Sequence, residues 1–238
     1  MNISMKNSFG EGVVVECQQL SNLPFNTTVS VPATGEAICC KGGRYFRLRS
    51  NNDYTINEKK VGLFGKKIDK DQYRVCFVDT NSLITGKFGG SVEVEDPQCT
   101  SVNTSIIARV QYNGKYNLKI EDSIAFVESG LLQGKDVFSQ KDLLDKLRPM
   151  LNDIICTEIC KTALACGFGK IGEHIDKMGL NVTDEINKRL EGKGIRIDNV
   201  HFAHCAPDEE HKDMKNVAGE TIYAAKVAKE KDNILKGE

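Results

Sequence analysis

At 238 residues and 26.3 kDa the chain is long enough for one large domain or two modest ones, and its 40% hydrophobic and 27% charged content excludes wholesale disorder. Its 32 basic side chains against 33 acidic ones leave a net charge of −1, which excludes a chain-wide basic field for gripping nucleic acid. No run approaches ~18 consecutive apolar residues, and residues 1–10 lack the apolar centre of a secretory signal. The expected location is therefore the cytoplasm, or the inner face of a membrane as a peripheral protein.

Strands and turns are predicted over the first ~130 residues. Residues 12–17 form a β-branched run opened by Gly12, and residues 44–49 alternate polar and apolar as a half-buried strand does. Residues 73–78 combine aromatic and β-branched side chains, which favours a strand over a buried helix. Gly86, Gly89 and Gly90 predict a loop or tight turn, after which residues 91–97 alternate again until Pro97 stops them. Two alternating runs, 105–112 and 115–120, flank Asn113-Gly114, the strongest short-range signal for a hairpin.

The period then changes from two to between three and four. Ser139 and Asp142 form a capping box, with Asp in place of the usual Glu or Gln, ahead of Leu143, Leu144, Leu147, Leu151, Ile154, Ile155 and Ile159. Pro149 inside this pattern should kink it or split it into two helices. After a joint at 167–169, one short helix is predicted over 171–178 and another over 183–190, closed by Gly192 or Gly194. Residues 194–202 read as a strand. A final helix is expected from Pro207, with acids at its positive end and a thin apolar stripe of Met214, Val217, Ile222, Ala225, Ala228 and Leu235. That stripe is too narrow to bury alone, so it reads as half of a pairing surface.

Nine cysteines in a chain with no export signal are expected as reduced thiols. Cys39 and Cys40 are adjacent and poorly placed to bridge each other, and Cys156 and Cys160, one helical turn apart, read as small hydrophobes. The Asn-x-Ser/Thr triplets at Asn26, Asn103 and Asn181 carry no meaning without a secretory route.

Candidate chemistry is sparse. Gly167, Gly169 and Gly172 match the letters of a dinucleotide loop, but that mechanism needs a preceding strand, and residues 160–165 read as helix. His201, His204 and Cys205, with His211 beyond, gather metal-ligating types. On a regular strand His201 and Cys205 would share one face while His204 pointed away, which spoils a simple cluster. No Ser-His-Asp or Cys-His arrangement stands out among only four histidines. The basic stretch from Lys59-Lys60 to Lys66-Lys67 reads as an exposed loop or a contact to an anionic surface.

The order of these patterns resembles the SPFH (band 7) superfamily of stomatins, prohibitins and flotillins, closest to its soluble bacterial branch without an amino-terminal membrane anchor. Residues 73–79 followed by 86–90 are similar to that branch's Phe-Val … Lys-Trp-Gly-Thr stretch, with Phe88 and Gly90 standing where the family has Trp and Thr. Residues 108–122 with Phe126 are similar to its Gly-x-Tyr … Ile-x-Asp … Phe segment. The clearest likeness runs from Leu143 to Phe202. There a helix, Ile171, Ile175, Leu180, Ile186 and Leu190 precede the closing Gly194-Ile-Arg-Ile-Asp-Asn-Val-His-Phe202.

The resemblance covers about residues 10–238 and implies a non-enzymatic scaffold whose domains and carboxy-terminal helices assemble into rings or large oligomers at membranes. It carries over no catalytic residues, and the tail is short for the family. The expected fold is α+β, with a strand-rich first half and a helix-and-strand second half, followed by an extended C-terminal helix. An SPFH-like domain is placed at 1–205, with a strand-rich part at 1–130 and an α/β part at 131–205. The oligomerisation helix is placed at 206–238. Expected partners are other copies of the chain, and a membrane surface or membrane proteins; no nucleic acid, small-molecule substrate, cofactor or metal is expected. The alternative readings are a monomeric protein-binding module that uses a sheet edge, and a metal- or nucleotide-binding protein.

Overall fold

A computed structural model describes residues 1–7, 9, 12–20, 26–41, 43–56, 73–95 and 107–208. The strands are β1 (Asn2–Ser4), β2 (Val13–Leu20), β3 (Thr27–Val31), β4 (Gly35–Lys41), β5 (Arg44–Leu48), β6 (Asn52–Ile56), β7 (Tyr73–Asp79), β8 (Ile84–Glu95), β9 (Ile107–Ile120), β10 (Val137–Ser139) and β11 (Ile195–Pro207). Helix α1 is Ser123–Glu128, α2 is Gln140–Cys166, a 3₁₀ segment covers Phe168–His174, and α3 is Ile175–Arg189. The fold is α+β. Its strands form three sheets, ordered β1-β3-β6, β10-β2-β7-β4-β5 and β11-β9-β8. The chain divides into two compact units that interleave in sequence: residues 1–85, 117–149 and 187–198 form one, and residues 86–116, 150–186 and 199 onward form the other.

The first unit is built around the five-stranded sheet. Strand β7 sits at its centre, antiparallel to β2 (Cys17 opposite Cys76) and to β4 (Ala37 opposite Phe77). Ile3, Val29 and Val31 from the three-stranded sheet meet Ala37, Cys39, Val75 and Phe77 from the five-stranded one in a single core. Full burial of a side chain such as Phe77 stabilises the fold by roughly 1.5–3 kcal/mol. Helix α1 lies against β4 and β5, and Phe126 meets Phe138 edge-on at 6.3 Å between ring centroids. Asp122 caps α1 by accepting from the backbone N–H groups of Ile124 and Ala125.

In the second unit β8 and β9 alternate, apart from exposed Gly90, with Phe88, Val94, Ala108, Val110, Tyr112 and Tyr116 buried and the intervening odd-numbered residues exposed. Phe88 packs edge-on against Phe202 of β11 at 5.2 Å. The second half of α2 faces β9, where the Tyr112 hydroxyl lies 3.4 Å from Cys156 Sγ. Helix α3 lies close on β11: the backbone N–H of Val200 donates to Thr183 Oγ1, and a Cβ on Gly179 would collide with the Val200 carbonyl.

Several local expectations are corrected. Asn113-Gly114 is not a hairpin; β9 runs unbroken through it, and neither residue adopts positive φ. Gly114 has a different reason to be glycine, because a Cβ there would run into the His201 carbonyl and the Phe88 ring. Likewise Gly86, Gly89 and Gly90 lie inside β8 rather than in a turn, and Gly86 lies beneath the Tyr116 ring. Pro149 does not split α2, which is continuous over 27 residues.

The two helices expected over 171–190 are one α-helix preceded by a 3₁₀ segment, and β11 continues past Phe202 to Pro207. The reduced-thiol expectation fails for one pair, since Cys17 and Cys76 form a disulfide between facing positions of β2 and β7. The Ser139–Asp142 capping box forms as expected. Ser139 donates its N–H to Asp142 Oδ2 at 2.9 Å, and Ser139 Oγ accepts from the Asp142 N–H at 3.2 Å. Among the described residues no helix is long and apolar enough to cross a membrane.

Candidate functional site

Strand β11 carries the three residues singled out for metal chemistry, and its own irregularity separates them. Exposure along it alternates except at Asp198-Asn199 and at Ala203-His204, where two successive residues face solvent. Each doubling shifts the phase, so His201 and His204 are both exposed while Cys205 is buried, contrary to the face assignment expected for a regular strand. Among the described residues no three His, Cys, Asp or Glu side chains converge as metal ligands would; His211 lies outside them.

Cys205 belongs to a buried thiol–phenol neighbourhood instead. Burial pushes its thiol up to about 12. Tyr112 is raised by burial first, then by its hydrogen bond to Cys156 and by the charges that Cys156 and Cys205 would carry. Cys160 rises for the same first reason, with Cys156 next. In the other unit burial holds Cys39 at about 11, helped by the adjacent Cys40. Thiols shifted upward stay protonated at neutral pH, a state that suits packing better than nucleophilic or ligand chemistry.

The glycine-rich joint is an interhelix turn. Gly167 has φ +79° and donates its N–H to the Ala163 carbonyl at 2.8 Å, closing α2, and its own carbonyl accepts from Lys170. A helix therefore precedes it where a dinucleotide loop needs a strand. Asn181, in one of the Asn-x-Ser/Thr triplets, lies within α3 and donates to Glu158 Oε1 at 2.6 Å. The hydroxyl of Thr183, in the same triplet, donates to the Gly179 carbonyl.

Two polar clusters escaped the sequence reading, and both fasten the fold. Glu16 is buried on β2 and accepts from the backbone N–H groups of Lys6 and Asn7, from Asn7 Nδ2 at 2.7 Å and from Gln18 Nε2 at 2.9 Å. Burial alone would raise its carboxyl; the four donors outweigh that and hold it below the ordinary value. The second cluster centres on Arg47 of β5, whose Nη2 lies 2.6 Å from Asp122 Oδ1 and whose Nε lies 3.4 Å from Glu36 Oε2. Ser123 Oγ donates to the same Glu36 oxygen. No local sequence motif marks either cluster, because each joins separate segments, with Asn7 9 residues from Glu16 and Ser123 87 residues from Glu36.

The remaining candidate surfaces are for macromolecules. Phe46 on edge strand β5, Leu164 on α2 and Leu180 on α3 are each more than half exposed. Strands β8 and β11 form the two edges of their sheet. Beyond Pro207, Asp208 is still tied in, donating its N–H to the Arg109 carbonyl of β9 at 2.9 Å. The apolar stripe Met214, Val217, Ile222, Ala225, Ala228 and Leu235, and the basic stretch at Lys59 to Lys67, lie outside the described residues. No protein-family model matches the chain, and no curated protein matches it significantly in sequence.

Proposed function

We infer that the chain is a non-enzymatic, self-assembling scaffold of SPFH (band 7) type, acting beside a membrane or a membrane-protein partner. The observation that carries this reading is the exit of the chain. Strand β11 lies at the edge of its sheet and the chain is still hydrogen-bonded to β9 at Asp208, with 30 residues to follow in the sequence. A thinly apolar Ala/Lys/Glu-rich segment launched from such an edge suits pairing with its counterpart in another copy, as in helices that bury a narrow stripe only on association. The likeness of residues 143–202 to the closing part of SPFH domains supports the same reading, as does the α+β arrangement. On this view the buried thiols and the Glu16 and Arg47 clusters stabilise the folded units in which they lie.

The test is a charge insertion in the tail of the full chain. Ala225→Glu combined with Ala228→Glu should lower the mass measured by light scattering and leave the melting temperature of the folded part unchanged. An unaltered mass refutes the tail's role. A second reading, a monomeric module that captures another protein on a sheet edge, is favoured by Phe46, 55% exposed on edge strand β5. It requires the full chain to remain monomeric at every concentration.

A further inference from the structure

Strand β8 is an edge with an uncommon property: its own sequence is complementary to itself when reversed. It spans Ile84–Glu95, is hydrogen-bonded to β9 on one side, and has no described strand on the other. At its middle Gly89 and Gly90 are exposed. Glycine has no side chain to expose, so this exposure belongs to the backbone, whose N–H and C=O groups are what a pairing strand needs.

Consider two copies of β8 laid antiparallel about a two-fold axis through Gly90. Residues whose numbers sum to 180 then face one another. On the solvent side Lys87 meets Glu93, and Gly89 meets Ser91; on the inner side Phe88 meets Val92. Each of these pairs occurs twice by symmetry. Lys87 and Glu93 are exposed on the same face of the strand, as direct cross-strand partners must be, while Phe88 is buried and Val92 half-buried on the other. Charge meets opposite charge, aromatic meets β-branched, and nothing bulky stands at the centre where the backbones approach most closely. A shift of the axis by one residue toward Gly89 sets Lys87 opposite Ser91 and loses the ion pair.

We propose that β8 is an isologous dimer interface, at which a second copy of this chain adds its β8 to form one continuous sheet across the two subunits. This rests on the reading of the chain as a self-assembling scaffold and names an interface distinct from the tail. A single lysine on an edge strand otherwise serves to repel pairing. Here the facing glutamate of the other copy turns that lysine into an attractive group and fixes the register.

The experiment uses the full chain carrying Ala225→Glu and Ala228→Glu, so that the tail interface is removed and β8 is read alone. Light scattering is then compared across a dilution series for this chain, for Lys87→Glu added to it, for Glu93→Lys added to it, and for both together. The proposal expects a mass of about twice 26.3 kDa for the first. Either single swap should weaken dimerisation about tenfold or more, because two attractive pairs become two repulsive ones. The double swap should restore it. Both side chains are exposed, so the swaps leave folding intact, which the melting temperature verifies.

The proposal is overturned by a monomer in the tail-substituted chain, by a dimer indifferent to both single swaps, or by a double swap that fails to restore the mass. The tail fails separately: if the two alanine substitutions leave the assembled mass unchanged while the swaps lower it, the tail interface is refuted and β8 stands.

Discussion

A carboxylate with 2% of its surface exposed stays on β2 because four donors converge on it, three of them from residues 6 and 7 and the fourth from Gln18 on the same strand. Glu16 thus fastens residues 6 and 7, and with them β1, which pairs in parallel with β3. Glu16→Gln keeps the shape but removes the charge and turns one acceptor into a donor facing donors. It should destabilise the fold by about 1–3 kcal/mol, read as a lower urea midpoint at unchanged slope. A midpoint equal to that of the unsubstituted chain would contradict the role. Because the folded carboxyl lies below its ordinary value, its contribution is present above that value and fades as pH falls through the lowered one. Gly194 shows the other limit at this scale: φ is +68°, its carbonyl accepts from Glu121 and Asp122, and any Cβ would strike the Asp122 carbonyl. The sequence reading placed Gly194 at a helix end, where it does follow α3, and could not foresee its fit under Asp122.

At the scale of elements, signals that depend on neighbours within four residues were readable and those that depend on a distant strand were not. The Ser139–Asp142 box was legible because both partners and the apolar period that follows lie within one stretch. Asp142 also receives Lys135 Nζ at 2.7 Å, and that bond, with those from Ser139, holds its carboxyl at about 2. Asp142→Ala should cost about 1 kcal/mol at neutral pH. The folded value lies below the ordinary 3.8, so the difference from the unsubstituted chain should shrink as pH falls from about 4 toward about 2. Urea midpoints at pH 7 and pH 2 check it, and a penalty of equal size at both would contradict the assignment.

By contrast, Asn113-Gly114 carries a strong turn signal that a third strand overrides. Gly114 is required where the His201 carbonyl approaches, and His201 lies 87 residues away. The short strands β1, β3, β4 and β6 were missed because Gly, Thr, Asn and Ser dilute their periodicity. They are fixed by pairing with one another and with β7.

For the whole molecule, the α+β class was legible in the change of period near residue 140, while the interleaving of two compact units was not. Strand β9 and helix α2 each contribute to both units, and no composition shift marks Tyr116 or Pro149 as a crossing. The Cys17–Cys76 disulfide was equally hidden, since 59 residues separate cysteines that only the register of β2 on β7 brings face to face. The candidate surfaces divide in the same way. The tail stripe could be read from sequence alone, whereas the self-complementary edge of β8 emerged only once residues 86–90 proved to be strand.

Self-assembly is decided by light scattering behind a sizing column on residues 1–238 beside residues 1–208. The shorter chain keeps β11 and the Asp208–Arg109 bond whole. A scaffold that pairs through both the tail and β8 gives a species larger than a dimer for 1–238 that falls to a dimer for 1–208. A 26.3 kDa monomer for 1–238 at every concentration would contradict it.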